Sequence, residues 1–351
     1  VMFLDSLRFV AASAVVFQHV AEGEGGLGKY AVEMLSPGVF GVVLFFIVSG
    51  FVIPMSARGR FDPKIFAIRR FFRIYPLVLA TFLLLAILAY GGFVPAFDAV
   101  RSSTFKDWAA NLLLVQDYVG AVPLWGVTWT LSLEVAWYAV FAIALLSLGS
   151  RFDKWLAIIF PLAMLALALG SILIDHRLPL ARVNMLYAAV LGCRIYRHLE
   201  GEVGLGRVCA DVAAFLFATL VCNVVSFGHF THPNITMSQA VFPWIAATLV
   251  FAGATLIPAV RRSYLLNNVV LGWLGAISFS TYLLHGFAMA IASDIAPERL
   301  VAASSVALTL AFSVLGYYLV EKPGQALGRI VTRRARSRTE MNLRLDSSTS
   351  R

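Results

Sequence analysis

Apolar residues in this chain come in long unbroken blocks, with little sign of the alternation of a strand or the one-sided stripe of a soluble helix. The blocks run roughly 17–23 residues with few or no charges, the length that crosses a bilayer core as a helix. Ten are read, at about 4–20, 37–55, 75–92, 128–149, 155–174, 183–197, 208–227, 238–257, 269–292 and 300–320. The stretch 107–120 is interrupted by Asp107, Asn111, Gln116 and Asp117, and is expected to be a re-entrant or interfacial segment. Short alternating segments of the barrel type are lacking. The pattern therefore predicts an all-α, polytopic membrane protein, because helices satisfy their own backbone inside lipid.

Composition agrees. Of 351 residues 60% are hydrophobic and 13% charged, against about a quarter charged in a soluble domain. Length alone would suggest two soluble domains; the blocks argue for one membrane domain over 1–325, with 326–351 a basic, disordered cytoplasmic tail suited to anionic lipid. The net charge of +9 would suggest nucleic acid in a soluble protein. Here orientation explains it. With a cytoplasmic N-terminus, the ten-span reading puts 21 Lys and Arg on the cytoplasmic side and six on the other. Arg58, Arg60, Lys64, Arg69, Arg70 and Arg73 are among the 21. Both termini are then cytoplasmic. Cys193, Cys209 and Cys222 sit in or beside apolar blocks and suggest no disulfide framework. No cleavable signal peptide is expected from the first block, and no internal repeat, Gly-rich phosphate loop or paired-cysteine metal motif is found. No metal is expected.

Chemistry is sought where polar groups are costly. The first block carries Asp5, Arg8 and His19. Asp5 and Arg8 are spaced to pair on one helix face. Arg8 and His19 are eleven residues apart, which puts them on one stripe, about 16 Å apart along the axis. Arg8 could equally snorkel and His19 cap a helix end. Ser49-Gly50 in the second block permits close helix approach. Arg69, Arg70 and Arg73 suit phosphate groups, though a positive-inside anchor also explains them. Glu134 lies inside the fourth block with no basic neighbour in sequence; a buried carboxylate needs a partner, a proton or water. His285 sits in the ninth block with Ser278 and Tyr282, and reads more readily as a hydrogen-bonded structural histidine. Glu321-Lys322-Pro323 closes the last block.

Taken together these residues resemble the integral-membrane acyltransferase 3 family, which includes O-acetyltransferases of bacterial surface polysaccharides. The resemblance covers about residues 3–325. It rests on Leu4-Asp5-Ser6-Leu7-Arg8 with ten residues between Arg8 and His19; on Phe45 to Phe51 with Ser49-Gly50; and on Arg70 and Arg73. It rests further on Trp129-Thr130-Leu131-Ser132-Leu133-Glu134 with Trp137-Tyr138, on Ser278 to His285, and on Glu321-Lys322-Pro323. Trp137 stands for the family's usual Phe, and Phe279 for Tyr. The resemblance implies an inner-membrane enzyme of bacteria that moves an acyl group, expected to be acetyl, from cytoplasmic acyl-CoA onto a carbohydrate hydroxyl. Combined with the residue reading, Arg69, Arg70 and Arg73 would hold the CoA phosphates and the pantetheine arm would pass Arg8. His19 would serve as general base, unless it first takes the acyl group itself, with Glu134 orienting it or balancing its charge. Ser49, Gly50, Tyr282, His285 and Glu321 would be structural or secondary. The alternative is a transporter or flippase of a glycan or lipid-linked sugar, whose path the same polar groups would line.

Overall fold

The computed structural model describes residues 1–23, 26–57, 59, 61–230 and 235–349, with side chains as far as 335. Arg58 and Arg60 of the basic loop lie outside the described residues. Among the described residues every regular element is a helix. α1 (Met2–Glu22), α2 (Gly26–Leu35), α3 (Pro37–Ser56) and α4 (Pro63–Gly91) come first, then the short α5 (Phe105–Leu112) and α6 (Gln116–Val119). α7 (Trp129–Leu148), α8 (Phe152–Leu173), α9 (Leu180–Leu199), α10 (Leu205–Asn223) and α11 (Met237–Leu256) follow. After the single turn α12 (Pro258–Arg261) come α13 (Val269–Ala276), α14 (Ser278–Ile295), α15 (Val301–Gly316) and α16 (Lys322–Thr349). The basic stretch after 325 lies in α16.

Local chemistry sets several of these boundaries. Asp62 caps α4 by accepting from the Ile65 N–H, Pro63 occupies its first turn, and Gly92 ends it at φ +70°. Thr104 and Asp107 form a reciprocal capping box at α5. The expectation of a non-spanning segment at 107–120 meets two short helices clipped down by buried polar groups. Asn111 donates to the Val122 carbonyl at 2.7 Å and accepts from Leu124 N–H at 3.0 Å, and Asp107 accepts from Val122 N–H at 2.9 Å. This clip presents Trp125, whose indole donates to the Leu283 carbonyl at 2.9 Å and stacks on Phe287 at 4.0 Å.

The ten apolar blocks meet a smaller number of long apolar segments. Among the described residues seven helical segments are long and apolar enough to cross a membrane, or up to eight if α13 and α14, bent by 63°, count as one. Two features account for the difference. Residues 126–173 form one apolar stretch of 48 residues that contains both α7 and α8, broken only at Gly149–Arg151. α9 fails on hydropathy because it carries Arg182, Asn184, Arg194 and Arg197, and it can carry them because it is buried in protein. Its Arg194, 4% exposed, donates to Asp153 of α8 at 2.6 Å and to Asp211 of α10 at 2.7 Å. A buried cation between two carboxylates is tolerated where an unpaired one is not.

α3 is the hub, packed on α1, α9 and α11. Inside lipid, helices associate through close backbone approach at small residues. A Cβ placed on Gly50 would run into the Ala189 backbone of α9, and one on Gly192 into the Ile47 carbonyl of α3. Gly41 meets the Ala11 carbonyl of α1 in the same way, and Gly275 of α13 meets the Asp5 carbonyl. These contacts draw α1, α3, α9 and α13–α14 into one tight group, and α4 and α7 close the cavities against it.

Candidate functional site

Two cavities open along α1. The first, about 810 Å³ counting the space at its mouth, is lined by Arg8, Ser49, Arg70, Arg73, Glu134, Tyr138 and Tyr282 among apolar walls. The second, about 740 Å³ on the same measure, is lined by Gln18, His19, Gly38, Trp129, Met185 and Tyr282 with valines from α1 and α3. Val42 and Tyr282 line both. The stripe predicted for Arg8 and His19 is thus the stripe that faces the cavities, with one residue in each.

In the first cavity the charges are only partly matched. Arg8 donates to Asp5 at 2.7 Å. Arg73 pairs with Glu321, whose side chain is fully buried. The same carboxylate accepts from Ser280 at 2.8 Å and from Gln325 at 3.1 Å. Glu321 is therefore the residue that holds Arg73 across the bundle. Arg70 donates to the Ser56 hydroxyl at 2.7 Å and lies over the Phe66 and Tyr138 rings at 5.3 and 5.4 Å. Among the described residues it has no acidic partner, and its buried Nε has no hydrogen-bond acceptor. Arg69 is exposed and lies outside the cavity lining. Glu134 accepts from the Tyr138 hydroxyl one turn on along α7.

The expected pairing of Glu134 with His19 is not formed. Glu134 faces the cationic cavity, and the His19 ring nitrogen Nδ1 lies 3.0 Å from Glu22, three residues on in α1. Gln18 donates to the other Glu22 oxygen at 2.8 Å, and its own carbonyl oxygen accepts the Gly38 N–H at 2.6 Å. The start of α3 thus fixes Gln18, which fixes Glu22, which faces His19. Both side chains of the pair are partly exposed, His19 41% and Glu22 45%. From the other side, His285 stacks on His19 with ring centroids 5.3 Å apart and planes 19° from parallel. His285 is buried, and its Nδ1–H donates to the Tyr282 carbonyl at 2.7 Å. The Tyr282 hydroxyl accepts from Thr130 at 2.9 Å and donates to the Val127 carbonyl at 3.3 Å, and its ring meets Phe45 edge-on at 5.8 Å.

Ser49 lines the first cavity, while Gly50 on the next position makes the α3–α9 contact. Two residues that matter here, Glu22 and Gln325, were missed although each stands one helical turn from a predicted site residue, a legible spacing. Tyr138 stands at the same one-turn spacing from Glu134, whereas the bond of Ser280 to Glu321 spans 41 residues and no spacing rule discloses it. Among the described residues no group of three or more His, Cys, Asp or Glu is placed to hold a metal ion, and all three cysteines are free.

Comparison with known proteins gives a consistent answer. The profile of a family described as an acyltransferase domain matches residues 2–318. Acyltransferase MdmB of Streptomyces mycarofaciens is 32% identical over 146 residues, 39% of this chain and only 37% of that protein's length. BcsY of Komagataeibacter xylinus, named as a candidate membrane-bound transacylase, is 27% identical over 342 residues, covering 92% of this chain and 82% of that one. Nodulation protein 10 of Rhizobium leguminosarum bv. viciae is 24% identical over 363 residues, covering 92% and 93%. No solved structure matches the chain.

Proposed function

The chain belongs to the acyltransferase domain family, and from that premise we propose that it transfers an acyl group, acetyl in the simplest case, from cytoplasmic acyl-CoA to a carbohydrate hydroxyl on the far side of a bacterial inner membrane. The acceptor would be an exopolysaccharide, O-antigen or oligosaccharide. The observation that carries the reading is the pair of cavities meeting at Val42 and Tyr282, one cationic and one lined by a histidine that a neighbouring carboxylate holds. The orientation rests on loop charge, with both termini cytoplasmic. The ten-span count rests on dividing 126–173 at Gly149 and on counting α9 as a crossing inside protein.

Arg70 supports the donor site. A guanidinium with no acidic partner and a buried, unpaired N–H suits an anionic ligand such as a CoA phosphate. Arg8 and Arg73 stand beside it, and the pantetheine arm would run along the Arg8–His19 stripe. At the second cavity the acceptor hydroxyl oxygen bonds to the acyl carbon as the thioester C–S bond breaks. His19 takes the hydroxyl proton as general base, and that proton then goes to the departing thiolate, leaving an ester and free CoA. Glu22 orients the ring and balances its charge. Glu134 belongs to the donor side in this scheme.

The test uses the full chain in liposomes with radiolabelled acetyl-CoA and saccharide acceptors. Wild type should deposit label as an ester. His19→Gln keeps hydrogen bonding but cannot accept a proton; it should bind CoA and transfer nothing. Glycan movement without acylation would favour a transporter, and an active, well-expressed His19→Gln would remove the base assignment.

A further inference from the structure

The chain has seven tryptophans, and five have their rings engaged by neighbours. Trp108 meets Phe82 and Tyr90, Trp125 stacks on Phe287, Trp137 meets Phe141 and Trp244 meets Phe215. Trp273 donates to the Tyr318 hydroxyl at 3.2 Å. Trp155, 50% exposed, lies on the outer surface of α8 and lines neither cavity. Trp129 is different. It is half-buried at the first residue of α7 and packs against the apolar core, yet among the described residues its ring has no aromatic partner and its indole N–H no hydrogen-bond acceptor. It lines the cavity that contains His19.

An indole is large, rigid and amphipathic, so a ring backed by the core and lining a polar-edged cavity without an aromatic partner is a binding surface held ready at small entropic cost. The rest of that wall is aliphatic, from Val39, Val42 and Met185, and Gly126 beside it leaves open space where a side chain would stand. The polar side chains of α1 in the lining are Gln18 and His19, both held by Glu22 behind them. A flat apolar face with polar groups at its rim matches a pyranose ring, which carries C–H bonds on its faces and hydroxyls around its edge.

We propose that Trp129 is the acceptor platform, on which one sugar ring of the acceptor stacks with a rim hydroxyl directed at His19. The free indole N–H donates to a second hydroxyl and sets the rotation of the ring. The assignment rests on the carbohydrate-acylation reading of the same cavity. It specifies an acceptor that presents an unsubstituted pyranose face, which excludes a simple alkyl alcohol or a lipid hydroxyl as the favoured substrate.

The experiment compares wild type, Trp129→Phe and Trp129→Ala in purified full-length form, with radiolabelled acetyl-CoA and with cellotetraose and chitotetraose as acceptor probes. Stacking losses of this kind correspond to roughly ten- to hundredfold in affinity. Trp129→Ala should raise the acceptor KM by about that factor while the KM for acetyl-CoA stays within about twofold. Trp129→Phe should recover most of the loss, since it keeps a ring face. An unchanged acceptor KM in Trp129→Ala overturns the platform. So does a changed preference between acetyl- and butyryl-CoA at constant acceptor KM, which would give the wall to the acyl chain. Should Trp129→Ala fold poorly, an acceptor KM in Trp129→Phe as high as with no ring rescue expected, or a loss of kcat alone, overturns it equally. Failure of wild type to acylate either saccharide removes the functional reading itself, before any variant is compared.

Discussion

Arg73 cannot be removed as a phosphate ligand without also removing the partner of a buried acid. Its guanidinium pairs with Glu321, which is fully buried, whereas Arg73 is 31% exposed toward the cavity. In Arg73→Ala the carboxylate keeps the Ser280 and Gln325 donors it already has and loses its one cationic partner among the described residues. Breaking such a pair costs about 3–5 kcal/mol. The upper limit is set by chemistry. Protonating an ordinary glutamic acid at pH 7 costs about 3.7 kcal/mol, from a reference value near 4.3 and 1.36 kcal/mol per unit, and the carboxyl takes that route if ionised burial costs more. The expected loss is therefore about 3–4 kcal/mol, a few hundredfold in the folding equilibrium. The assay is detergent-solubilised full-length protein, followed by denaturant unfolding and by recovery of monodisperse protein after heating. Arg73→Ala should lose most of its folded fraction under mild heating. Arg73→Ala with Glu321→Gln should recover it, because a neutral amide is satisfied by Ser280 and Gln325 without a cation. The recovered double variant then reports on CoA binding alone. An Arg73→Ala protein as stable as wild type, or a double variant no better than the single one, would refute the reasoning.

Gly50→Ala should sharply reduce folded yield, because the new Cβ meets the Ala189 backbone, whereas Gly170→Ala, with open space around it, should be neutral or stabilising by up to about 1 kcal/mol; equal yields would discount the α3–α9 contact. Glu22→Gln should lower the transfer rate by up to about fivefold, the worth of an exposed ion pair, with acyl-CoA affinity unchanged, while Glu134→Gln should act on acyl-CoA affinity; the reverse split in steady-state kinetics would return Glu134 to His19. In a Cys209→Ser background, intact-cell labelling should reach His229→Cys and spare Lys64→Cys; the opposite pattern would invert the orientation. The Thr104 hydroxyl, then the Val122 and Thr104 N–H groups, hold the Asp107 carboxyl below the ordinary carboxylate range. Its contribution is therefore full above about pH 4 and fades as pH falls through its folded value; Asp107→Asn should flatten that acid limb of stability, and an unchanged limb would show that the clip carries none of it.

What the sequence disclosed follows from what is periodic or local. Each expected apolar block coincides with a helix or with the bent pair α13–α14, because length and hydropathy are properties of a segment. α9 was read as a span from its apolar core, yet its Arg194 is tolerated only because Asp153 and Asp211 arrive from other helices. The Arg8–Asp5 pair and the His19 stripe are one-helix facts and were readable. Glu134 was assigned to His19 because both are costly in lipid, but cost says only that a group needs a partner. Glu321 shows the same limit from the other side. Its partner lies 248 residues away, and only packing brings them together.

The two cavities are joined mechanically as well as in space. The backbone of α13 at Gly275 rests on Asp5, the residue that holds Arg8. One bend of 63° later, α14 supplies Ser280 to the Arg73–Glu321 pair, Tyr282 to the wall between the cavities, and His285 to the face of His19. The Tyr282 carbonyl accepts from His285, so the side chain that divides the cavities and the ring that backs His19 share one turn of helix. A rotation of α14 about its bend therefore cannot move the partition without moving the surface that orients His19. Packed helices shift between discrete arrangements rather than deforming continuously. In the proposed scheme, a donor arm displacing Tyr282 from Thr130 and Phe45 would act on the geometry of His19 through the same turn.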